Sequence, residues 1–476
     1  MTAVEPASKR DLYFAPAETL AGMVRRKELS PTELMEATLE RIEAVNPTIN
    51  AFIQLDSERG LREARAQTER LARGEALGPL GGLPFGVKEL ENAEGFRTTQ
   101  GSRAFADTWA PRDDVHVERL RQAGAICIGK TNSPEFGYAG FTTNDVFGTT
   151  RNPWNPERTP GGSSGGASAA IASGMVAVAT ASDGAGSVRI PACFTGAFGL
   201  KPTFGLVPIG PRQMLGWMDT SVYGPLTRTV RDAAIYLDQV SGYHPADPTS
   251  LPKPSYSFLA KLEEPLPRMR IGFSPNFGCP RVQSDVAREV RNAANVFSEL
   301  GHEVEETDAA FAEPLGYWWQ RMGRFQALAQ MEDIVINHRD RFSAGYAAGF
   351  RGVEEIGARD FGKFYRVRAE LAQWLWQLFE RYDLLLTPTM PYEAFAAEGP
   401  YPTEIEGVSL GGNPVPFTAI FNVAGTPAAT VRAGFTDAGL PVGLQIAARH
   451  HADALVLQAA YAYEQARPWN DRWPEL

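Results

Sequence analysis

The chain has 476 residues, and its 46 lysine and arginine residues against 56 aspartate and glutamate residues give a net charge of −10. This acidic balance argues against nucleic-acid binding, because no basic stripe is present to displace counterions from phosphates. The hydrophobic content of 43% and charged content of 21% are ordinary for a globular protein and exclude low-complexity disorder.

The N-terminal part of the chain is predicted to be helical. Ser30-Pro31-Thr32-Glu33 is a capping box with proline at the first helical position, and apolar residues follow at helical spacing from Met35 to Ile42. Asn46-Pro47 predicts the end of this helix. A second, charged helix fits Ser57 to Arg73.

Short apolar runs with strand character alternate with helical stretches along the rest of the chain. Two of these helical stretches are Val115–Ala123 and Ser164–Ser173. The alternation predicts an α/β protein with a central mixed, mostly parallel and twisted sheet flanked by helices on both faces. The predicted strands are Leu83–Val87, Ala125–Ile128, Met175–Thr180, Met269–Phe273, Leu384–Thr387, Ala428–Val431 and Val442–Ala447.

We interpret the chain as one domain, 1–476, in four parts. Residues 1–75 are N-terminal helices, 76–240 carry the glycine and serine motifs, 241–380 are variable and helical, and 381–476 complete the sheet. The third part is rich in aromatic residues, which either pack in the core or line a substrate cleft. These residues include Tyr317, Trp318, Trp319, Phe325, Trp374, Trp376 and Phe379.

Cysteine usage and hydropathy favour a cytoplasmic protein without a metal site. Cys127, Cys193 and Cys279 are too few for a disulfide framework and lack metal-ligand spacing, so we interpret them as small buried residues. Residues 1–13 have no apolar segment of a signal peptide. The longest weakly polar run, 167–181, is too short and too polar to span a membrane, so no membrane association is expected.

Two clusters of glycine and serine lie close together in the second part. The first is Gly161-Gly162-Ser163-Ser164-Gly165-Gly166, and the second is Asp183-Gly184-Ala185-Gly186-Ser187. Glycine lets a backbone approach a ligand closely, and successive N–H groups in such a turn form an anion-binding nest. A serine beside that nest can attack a carbonyl while the nest holds the resulting oxyanion. The pattern indicates an acyl-transfer site rather than a flexible linker.

Three familiar motifs fit this chain poorly. Ser164 is the centre of a G-x-S-x-G pattern, but Arg158-Thr159-Pro160 before it is not the strand that a nucleophile elbow requires. Gly124–Thr131 matches the phosphate-loop pattern, but its central residues predict a strand instead of a turn. No motif supports a catalytic histidine. His450 and His451 follow a strand-like run, however, so a catalytic role for one of them is left open. The five candidates are His244, His302, His338, His450 and His451.

Lys88 is the candidate base in place of histidine. It follows the apolar run Leu83–Val87, and burial at the end of a strand favours the neutral amine of a lysine. A neutral lysine can accept the proton of a serine hydroxyl group. Taken alone, Lys88 would be interpreted as a surface lysine at a strand end.

Together these pieces resemble the amidase signature family of serine hydrolases. Ser163 lies 75 residues after Lys88, and Ser187 lies 24 residues after Ser163, as in that family. The resemblance covers nearly the whole chain and implies the α/β fold of the family. The matching motifs are Gly86-Val87-Lys88, Gly129–Asn132, Asn152–Asn155, Gly161–Gly166, Gly186–Pro191, Gly199–Thr203 and Gly439–Gln445.

The resemblance implies a role for each residue of the site. Ser187 would be the nucleophile, Lys88 the base, and Ser163 the serine that bridges them, joined to Gly162 by a cis peptide bond. No cofactor and no metal would be needed. The backbone N–H groups of the oxyanion hole would come from Gly184, Ala185, Gly186 and Ser187. The supporting residues would be Ser164, Asp183 and Arg189.

Three departures from the commonest family pattern favour one branch. Gly184-Ala185-Gly186 stands where Thr-Gly-Gly is usual, Glu89 where aspartate often follows the lysine, and Ala167 where serine is usual. None of them removes a catalytic side chain. The resulting pattern resembles amidases of bulky or synthetic amides, such as aryl-acylamide, nylon-oligomer and urethane hydrolases, more than it resembles tRNA-dependent amidotransferase subunits.

We therefore expect a serine hydrolase of bulky or aryl amides and carbamates, with esterase side activity, acting as a monomer or homodimer on small molecules. The alternatives are an A-type subunit of a glutaminyl- or asparaginyl-tRNA amidotransferase, a small-aliphatic-amide amidase, and a non-catalytic binding protein. A wide apolar pocket is expected, because an apolar stretch shortly after the nucleophile adds to the aromatic residues of the third part. That stretch contains Met214, Leu215, Trp217 and Met218.

Overall fold

The structure is a computed structural model that describes residues 8–211, 219–313 and 315–476, without the side chains of residues 316–320. Two groups of expected pocket residues therefore lie outside what is described. The first group is Met214, Leu215, Trp217 and Met218, and the second is the side chains of Tyr317, Trp318 and Trp319.

The strands that were predicted from apolar runs are all present, with ends that differ by a few residues. Within the described ranges the strands are β1 (Phe52–Leu55), β2 (Pro84–Lys88), β3 (Ile126–Thr131), β4 (Thr143–Asn144), β5 (Gly148–Thr149), β6 (Val178–Asp183), β7 (Phe198–Lys201), β8 (Val222–Thr227), β9 (Arg270–Phe273), β10 (Glu303–Glu306), β11 (Leu384–Pro388), β12 (Glu404–Ile405), β13 (Val408–Ser409), β14 (Ala428–Phe435) and β15 (Pro441–Ala448).

Helices lie between and beside these strands, and no described helix combines the length and apolar character needed to cross a bilayer. The helices are α1 (Lys9–Phe14), α2 (Ala17–Arg25), α3 (Pro31–Ile49), α4 (Ser57–Ala72), α5 (Val115–Gln122), α6 (Gly165–Ala172), α7 (Arg189–Thr195), α8 (Val230–Val240), α9 (Phe258–Leu262), α10 (Ser284–Glu299), α11 (Leu315–Gln330), α12 (Glu332–Asn337), α13 (Ala344–Ala348), α14 (Ala358–Arg381), α15 (Ala419–Val423) and α16 (Asp453–Ala466).

The central sheet is mixed, as predicted, but it is not mostly parallel. Its strand order is β1-β3-β2-β6-β8-β7-β14-β15-β11-β9-β10. Among these described strands, four neighbouring pairs are parallel and six are antiparallel, and five of the antiparallel pairs form the middle of the sheet. The prediction was wrong because an apolar run does not reveal strand direction. The short turn between β14 and β15, for example, permits only an antiparallel pair.

Both faces of the sheet are covered by apolar packing. Along β3, Cys127 belongs to one core cluster, whereas its neighbours Ile126 and Ile128 belong to another. Successive side chains of a strand point to opposite faces, so the two clusters lie on opposite faces of the sheet. The first cluster includes residues of α8 and α16, and the second includes residues of α3 and α6, which confirms helices on both faces.

Helix α3 begins as predicted but ends later. The Ser30 hydroxyl group accepts the Glu33 N–H, and the Glu33 carboxylate accepts the Ser30 N–H at 2.8 Å, so the capping box is formed. Pro47 lies inside the last turn, and the helix ends at Ile49, followed by Asn50, whose φ of 54° is left-handed. A proline in the last turn removes only one backbone hydrogen bond, so the helix continues past it.

A smaller apolar cluster lies beside the sheet and is formed largely by residues 315–356, which include α11, α12 and α13. We call residues 315–356 the cap. The buried members of this cluster are Met322, Val335, Phe342, Tyr346, Phe350, Val353, Ile356 and Phe364. Phe136 and Tyr138 from the part of the chain that carries the glycine motifs pack against it. The cap therefore contacts the segment that follows β3.

The strand directions bring the candidate residues to one edge of the sheet. Strands β2 and β6 are parallel neighbours, so their carboxyl ends, Lys88 and Asp183, lie at the same edge. Helix α6 begins beside this edge, and its Gly166 packs so closely that a Cβ atom would lie 2.2 Å from the Asn132 backbone nitrogen. Glycine is required there because no side chain fits.

Candidate active site

Lys88 is fully buried at the end of β2 and contacts two serines. Its Nζ atom donates a hydrogen bond to Ser163 Oγ at 2.8 Å. The Ser182 carbonyl and hydroxyl oxygens accept from the same nitrogen at 3.2 and 3.0 Å. The amine is therefore held in one orientation, with Ser163 within reach for proton transfer.

Ser163 lies in a tightly packed turn. The peptide bond between Gly162 and Ser163 is cis, as the resemblance implies. A Cβ atom at Gly162 would lie 2.7 Å from the Ala139 carbonyl oxygen, and one at Gly137 would lie 3.1 Å from Ser163 Oγ. Two glycines thus let the backbone approach Ser163 from different segments, and Ser163 is only 2% exposed.

Ser187 meets the first serine cluster through the backbone. The Ser164 N–H donates to the Ser187 carbonyl oxygen at 3.2 Å, which joins the two glycine-rich turns. Ser164 precedes α6, and its hydroxyl group donates to the Ser182 carbonyl oxygen at 3.3 Å. Ser187 is partly exposed and lines the same cavity as Ser163. The structure thus brings Lys88, Ser163 and Ser187 together, while their roles stay predictions.

The predicted oxyanion hole needs one correction. The Gly186 N–H donates to Asp183 Oδ1 at 2.6 Å, so it satisfies a buried carboxylate and is not available to an oxyanion in this structure. In the described part of the chain, the N–H groups of Gly184, Ala185 and Ser187 have no acceptor, and all three residues line the cavity. These three N–H groups remain the candidates for the hole.

Asp183 is the centre of a buried polar network. Burial alone would raise the pKa of its carboxyl group, but the adjacent Arg189 guanidinium holds that pKa well below its usual range. The two side chains are in contact at 3.0 Å, and Asp183 also accepts the Val188 N–H at 3.1 Å. The supporting role expected of this pair is therefore compatible with its contacts on the 183–188 backbone.

The residues that hold Arg189 from the other side were not predicted from the sequence. Its guanidinium donates to Gln445 Oε1 at 2.7 Å and to Asn422 Oδ1 at 2.6 Å. The Thr418 hydroxyl group donates to the Ala185 carbonyl oxygen. Gln445 belongs to the Gly439–Gln445 motif, which could have indicated its role, whereas Thr418 and Asn422 lie in no motif.

The cavity at this site has a volume of about 520 Å³. Part of its wall is aromatic, and part of it comes from the cap. The aromatic lining residues are Phe105, Phe136, Tyr223 and Tyr346, and the cap also contributes Gly323, Gln326, Ala327, Ala329, Gln330 and Met331. Side-chain amides and hydroxyl groups accompany them, so the wall is more polar than expected. These are Asn92, Gln100, Ser221, Gln326 and Gln330.

Of the aromatic residues expected from the sequence, the four whose side chains are described do not line this cavity. Phe325 packs against Phe361 with ring centroids 4.7 Å apart, and Trp374 packs against Phe277 at 6.0 Å. Phe379 packs against the main core, and Trp376 is 58% exposed. The buried apolar residues of α14, such as Val367, Leu371 and Leu375, belong to the main core and do not line the cavity.

Histidines and cysteines do not enter the cavity. None of the five candidate histidines lines the wall as far as the chain is described, and no described cluster of His, Cys, Asp or Glu suits a metal ion. All three cysteines are buried and free, as interpreted from the sequence. Gly124–Thr131, the match to the phosphate loop, contains strand β3, which confirms that the match is accidental.

Known proteins resemble this chain over almost its full length. A family model described as Amidase matches residues 33–457. An acylamidase of Rhodococcus erythropolis is 38% identical over 98% of this chain and 98% of its own length. The A-type subunit of the glutamyl-tRNA(Gln) amidotransferase of Moorella thermoacetica is 36% identical over 98% of this chain and 99% of its own length.

Solved structures also resemble this chain over nearly its full length. A bacterial aryl acylamidase of the amidase signature family superposes with a TM-score of 0.90 at 32% identity, covering 97% of this chain and 98% of that one. A 6-aminohexanoate cyclic dimer hydrolase superposes with a TM-score of 0.87 at 31% identity, covering 97% and 99%. Because the family model and these relatives span nearly the whole sequence, the chain belongs to the amidase signature family.

Proposed function

We propose that this protein is a serine hydrolase that cleaves the C–N bond of bulky or aryl amides through an acyl-enzyme on Ser187. The observation that carries the proposal is the 2.8 Å contact between Lys88 Nζ and Ser163 Oγ, at a cavity that Ser187 also lines. A buried amine, a bridging hydroxyl group and a second, accessible hydroxyl group form a path for a proton from the nucleophile to the base.

In the proposed cycle Lys88 accepts the proton of Ser163, and Ser163 accepts the proton of Ser187 as Ser187 attacks the carbonyl carbon. The negative charge on the tetrahedral intermediate is held by the N–H groups of Gly184, Ala185 and Ser187. One such donor contributes about 3 kcal/mol to transition-state stabilisation. Ser163 then protonates the leaving amine, and water hydrolyses the acyl-enzyme.

The cavity and the relatives support a bulky substrate. A volume of about 520 Å³ with aromatic lining residues accommodates an aryl group beside the reacting carbonyl. Similar proteins include an aryl acylamidase and a 6-aminohexanoate cyclic dimer hydrolase. Carbamates and esters present the same carbonyl and leaving-group geometry, so we include urethane and ester cleavage in the proposal. A cleaved carbamate would release an amine, an alcohol and carbon dioxide.

The test is loss of activity in Lys88→Ala, Ser163→Ala and Ser187→Ala, measured on a nitroanilide, together with labelling by a fluorophosphonate. Residues that act as a unit lose function together, so each variant is expected to lose several orders of magnitude in kcat. Ser187→Ala is expected to lose the label as well. Ser173→Ala is the matched control, because Ser173 is also buried. It is the C-terminal cap of α6, and its hydroxyl group donates to the Ala169 carbonyl oxygen of that helix.

A labelled Ser187→Ala protein, or a folded histidine variant as inactive as Ser187→Ala, would contradict the mechanism. Substrate preference is tested by kcat/KM at one pH for an activated ester, a nitroanilide, an N-aryl carbamate and acetamide. We expect them in that order, because nitrogen and oxygen both donate electrons into a carbamate carbonyl. If acetamide exceeds the nitroanilide by tenfold, about 1.4 kcal/mol, the small-amide alternative replaces the aryl proposal.

The second candidate function is that of an amidotransferase A-type subunit, which the 36% identity to the Moorella protein favours. Such a protein would copurify with partner subunits and require ATP and tRNA to transfer ammonia. Hydrolysis of the nitroanilide by the isolated chain, without ATP and without a partner, distinguishes the proposed hydrolase from this candidate.

A further inference from the structure

Asp114 is a buried carboxylate that holds two residues of the cavity wall. The Asn92 N–H donates to Asp114 Oδ2 at 3.0 Å, and the Tyr223 hydroxyl group donates to the same atom at 2.9 Å. Asn92 Nδ2 donates to Asp114 Oδ1 at 3.3 Å. Asn92 and Tyr223 both line the cavity, whereas Asp114 is fully buried and does not line it. The carboxylate therefore fixes two wall residues from outside the cavity.

This carboxylate does not stabilise the helix that it precedes. Asp114 is the N-terminal cap of α5, a position at which an aspartate side chain commonly accepts an N–H group of the first turn. Here it makes no such hydrogen bond. Burying a carboxylate costs desolvation free energy, and the hydrogen bonds from Asn92 and Tyr223 offset that cost. These contacts indicate a role at the cavity wall and not in the capping of α5.

The contacts also fix the orientation of the Asn92 side-chain amide. An amide has a donating nitrogen at one end and an accepting oxygen at the other. If the amide were turned over, Oδ1 would face the Asp114 carboxylate, and two acceptors repel each other. Oδ1 therefore faces away from Asp114. Among the described residues none donates to Oδ1, and this atom is not enclosed, so it presents an acceptor to the cavity.

This part of the wall borders the proposed base. Asn92 lies four residues after Lys88, which ends β2. Tyr223 is the cross-strand partner of Ser182, whose carbonyl and hydroxyl oxygens accept from Lys88 Nζ. Ser163, which protonates the leaving nitrogen in the proposed cycle, accepts from the same Nζ atom. The substrate nitrogen is therefore expected on the side of the cavity that Asn92 lines.

Other polar groups of the wall do not combine these features. Gln100 Nε2 donates to the Leu90 carbonyl oxygen at 3.3 Å, so a neutral group and not a buried carboxylate holds it. Ser221 presents a hydroxyl group, which can donate as well as accept and so does not discriminate between substrates. Gln330 is exposed on α11. Among these groups, Asn92 Oδ1 is the acceptor with the best-defined orientation.

We propose that Asn92 is a specificity-determining residue whose Oδ1 accepts a hydrogen bond from the substrate N–H next to the scissile carbonyl, and that Asp114 is the positioning residue that orients it. The inference rests on the proposed function and adds the part of the substrate that is recognised. Secondary amides, anilides and N-aryl carbamates carry this N–H, whereas esters have an oxygen atom there. A site built to hydrogen-bond a donor discriminates against substrates that lack it, because its acceptor is then left unpaired.

The same hydrogen bond orients the leaving nitrogen. When Ser187 attacks the carbonyl carbon, this nitrogen becomes pyramidal, with its hydrogen atom and its lone pair on different sides. With the N–H held by Asn92, the lone pair is left for Ser163, which donates the proton that the leaving amine needs. The contact is therefore expected to favour the reaction of amides over that of esters.

The test is kcat/KM of the Asn92→Leu variant on three substrates with one acyl group: a nitroanilide, its N-methyl derivative and a nitrophenyl ester. Leucine has a similar size and no acceptor. The nitroanilide is expected to lose about fivefold, the effect of one neutral hydrogen bond, while the other two substrates change little. Asp114→Asn, which can turn either end of its amide to Asn92, is expected to lower the ratio of nitroanilide to ester activity by a smaller factor.

Asn337→Leu is the matched control, because Asn337 Nδ2 also donates to an aspartate, Asp333 Oδ1 at 2.8 Å, but lies exposed on α12 and does not line the cavity. It is expected to keep the wild-type ratio. Thermal unfolding verifies that the variants are folded, and Asn92→Ala replaces Asn92→Leu if the latter is not.

The inference is overturned if the Asn92 variant keeps the wild-type ratio of nitroanilide to ester activity, or if the N-methyl derivative loses as much activity as the nitroanilide. A parallel loss on all three substrates would show a structural role only. An unchanged ratio in Asp114→Asn would overturn the positioning role of Asp114. Failure of the proposed function is seen separately, as activity that survives Ser187→Ala.

Discussion

One carboxylate holds the backbone around the proposed nucleophile. Asp183 accepts the N–H groups of Gly186 at 2.6 Å and Val188 at 3.1 Å, on either side of Ser187. From the opposite side, the Thr418 hydroxyl group donates to the Ala185 carbonyl oxygen. The turn is thus fixed from two directions, which leaves little freedom for a larger residue.

Gly186→Ala is expected to lower kcat on the nitroanilide by about 100-fold, comparable to the loss of one oxyanion-hole donor. Gly186 has a φ of 128°, and a Cβ atom there would lie 2.4 Å from Thr418 Oγ1 and 2.8 Å from Ile190 Cδ1. The turn must therefore shift and carry Ser187 with it. Gly301→Ala is the control, because its φ of 89° is also left-handed but no atom lies within 4 Å of its Cβ position. An equal loss in both variants would show that backbone strain, and not the contact with Thr418, is responsible.

At the scale of elements, the cavity wall joins two distant parts of the chain. Phe136 follows β3 with a φ of 50°, and its ring stacks on Tyr346 of α13 with centroids 4.6 Å apart. Glu135 fastens this contact, because its carboxylate accepts from the Ser102 hydroxyl group at 2.6 Å and from the Ser343 N–H at 3.0 Å. The cap is therefore part of the wall of the proposed site.

If this aromatic wall selects the substrate, Tyr346→Leu is expected to lower kcat/KM for the nitroanilide by about tenfold, since an aromatic contact contributes about 0.5–1.5 kcal/mol. Acetamide, which is too small to reach the wall, is expected to change little. Trp376→Leu is the matched control, because Trp376 is 58% exposed on α14. A parallel decrease for both substrates would mean that Tyr346 supports the fold and not the selection of an aryl group.

The sequence predicted individual elements better than their arrangement. The apolar runs at β2, β3, β6, β9, β11, β14 and β15 identified strands, because burial on both faces leaves a continuous apolar signal. Strand β8 was not predicted, since it contains Gly224-Pro225, which is more typical of a turn. Its antiparallel pairing with β6 and β7 was therefore not predicted either.

The same holds for the candidate site, where individual residues were predicted but most of their tertiary contacts were not. Motif spacing singled out Lys88, Ser163 and Ser187, and the structure places them at one cavity, although their chemical roles remain to be tested. Tyr346, Thr418 and Asn422 were not predicted. These residues come from segments far apart in the sequence, and a contact made only by folding leaves no local pattern.

At the scale of the whole molecule, two buried carboxyl groups, those of Asp183 and Glu464, make the free energy of unfolding depend on pH in opposite directions. Asp183 has a lowered pKa, so its contribution to stability is present above its unfolded pKa of about 3.9 and is lost as pH falls through the folded value. Glu464 behaves in the opposite way. Burial raises its pKa to about 8, the charge of nearby Asp232 acts in the same direction, and the hydrogen bond from the Val230 N–H only partly opposes this.

Because folded Glu464 keeps a proton that the unfolded chain loses above about pH 4.3, its contribution to the free energy of unfolding decreases as pH rises from there to about 8. Glu464→Gln keeps an acceptor for the Val230 N–H but carries no charge. We expect this variant to match the wild type near pH 5 and to exceed it at pH 8 by more than about 1.4 kcal/mol, the value of one pKa unit. Urea unfolding at pH 5, 6.5 and 8 measures the difference, with Glu58→Gln as control, because the Glu58 side chain is 93% exposed. A difference that is the same at all three pH values would show that Glu464 is not the group whose ionisation limits stability in alkaline solution.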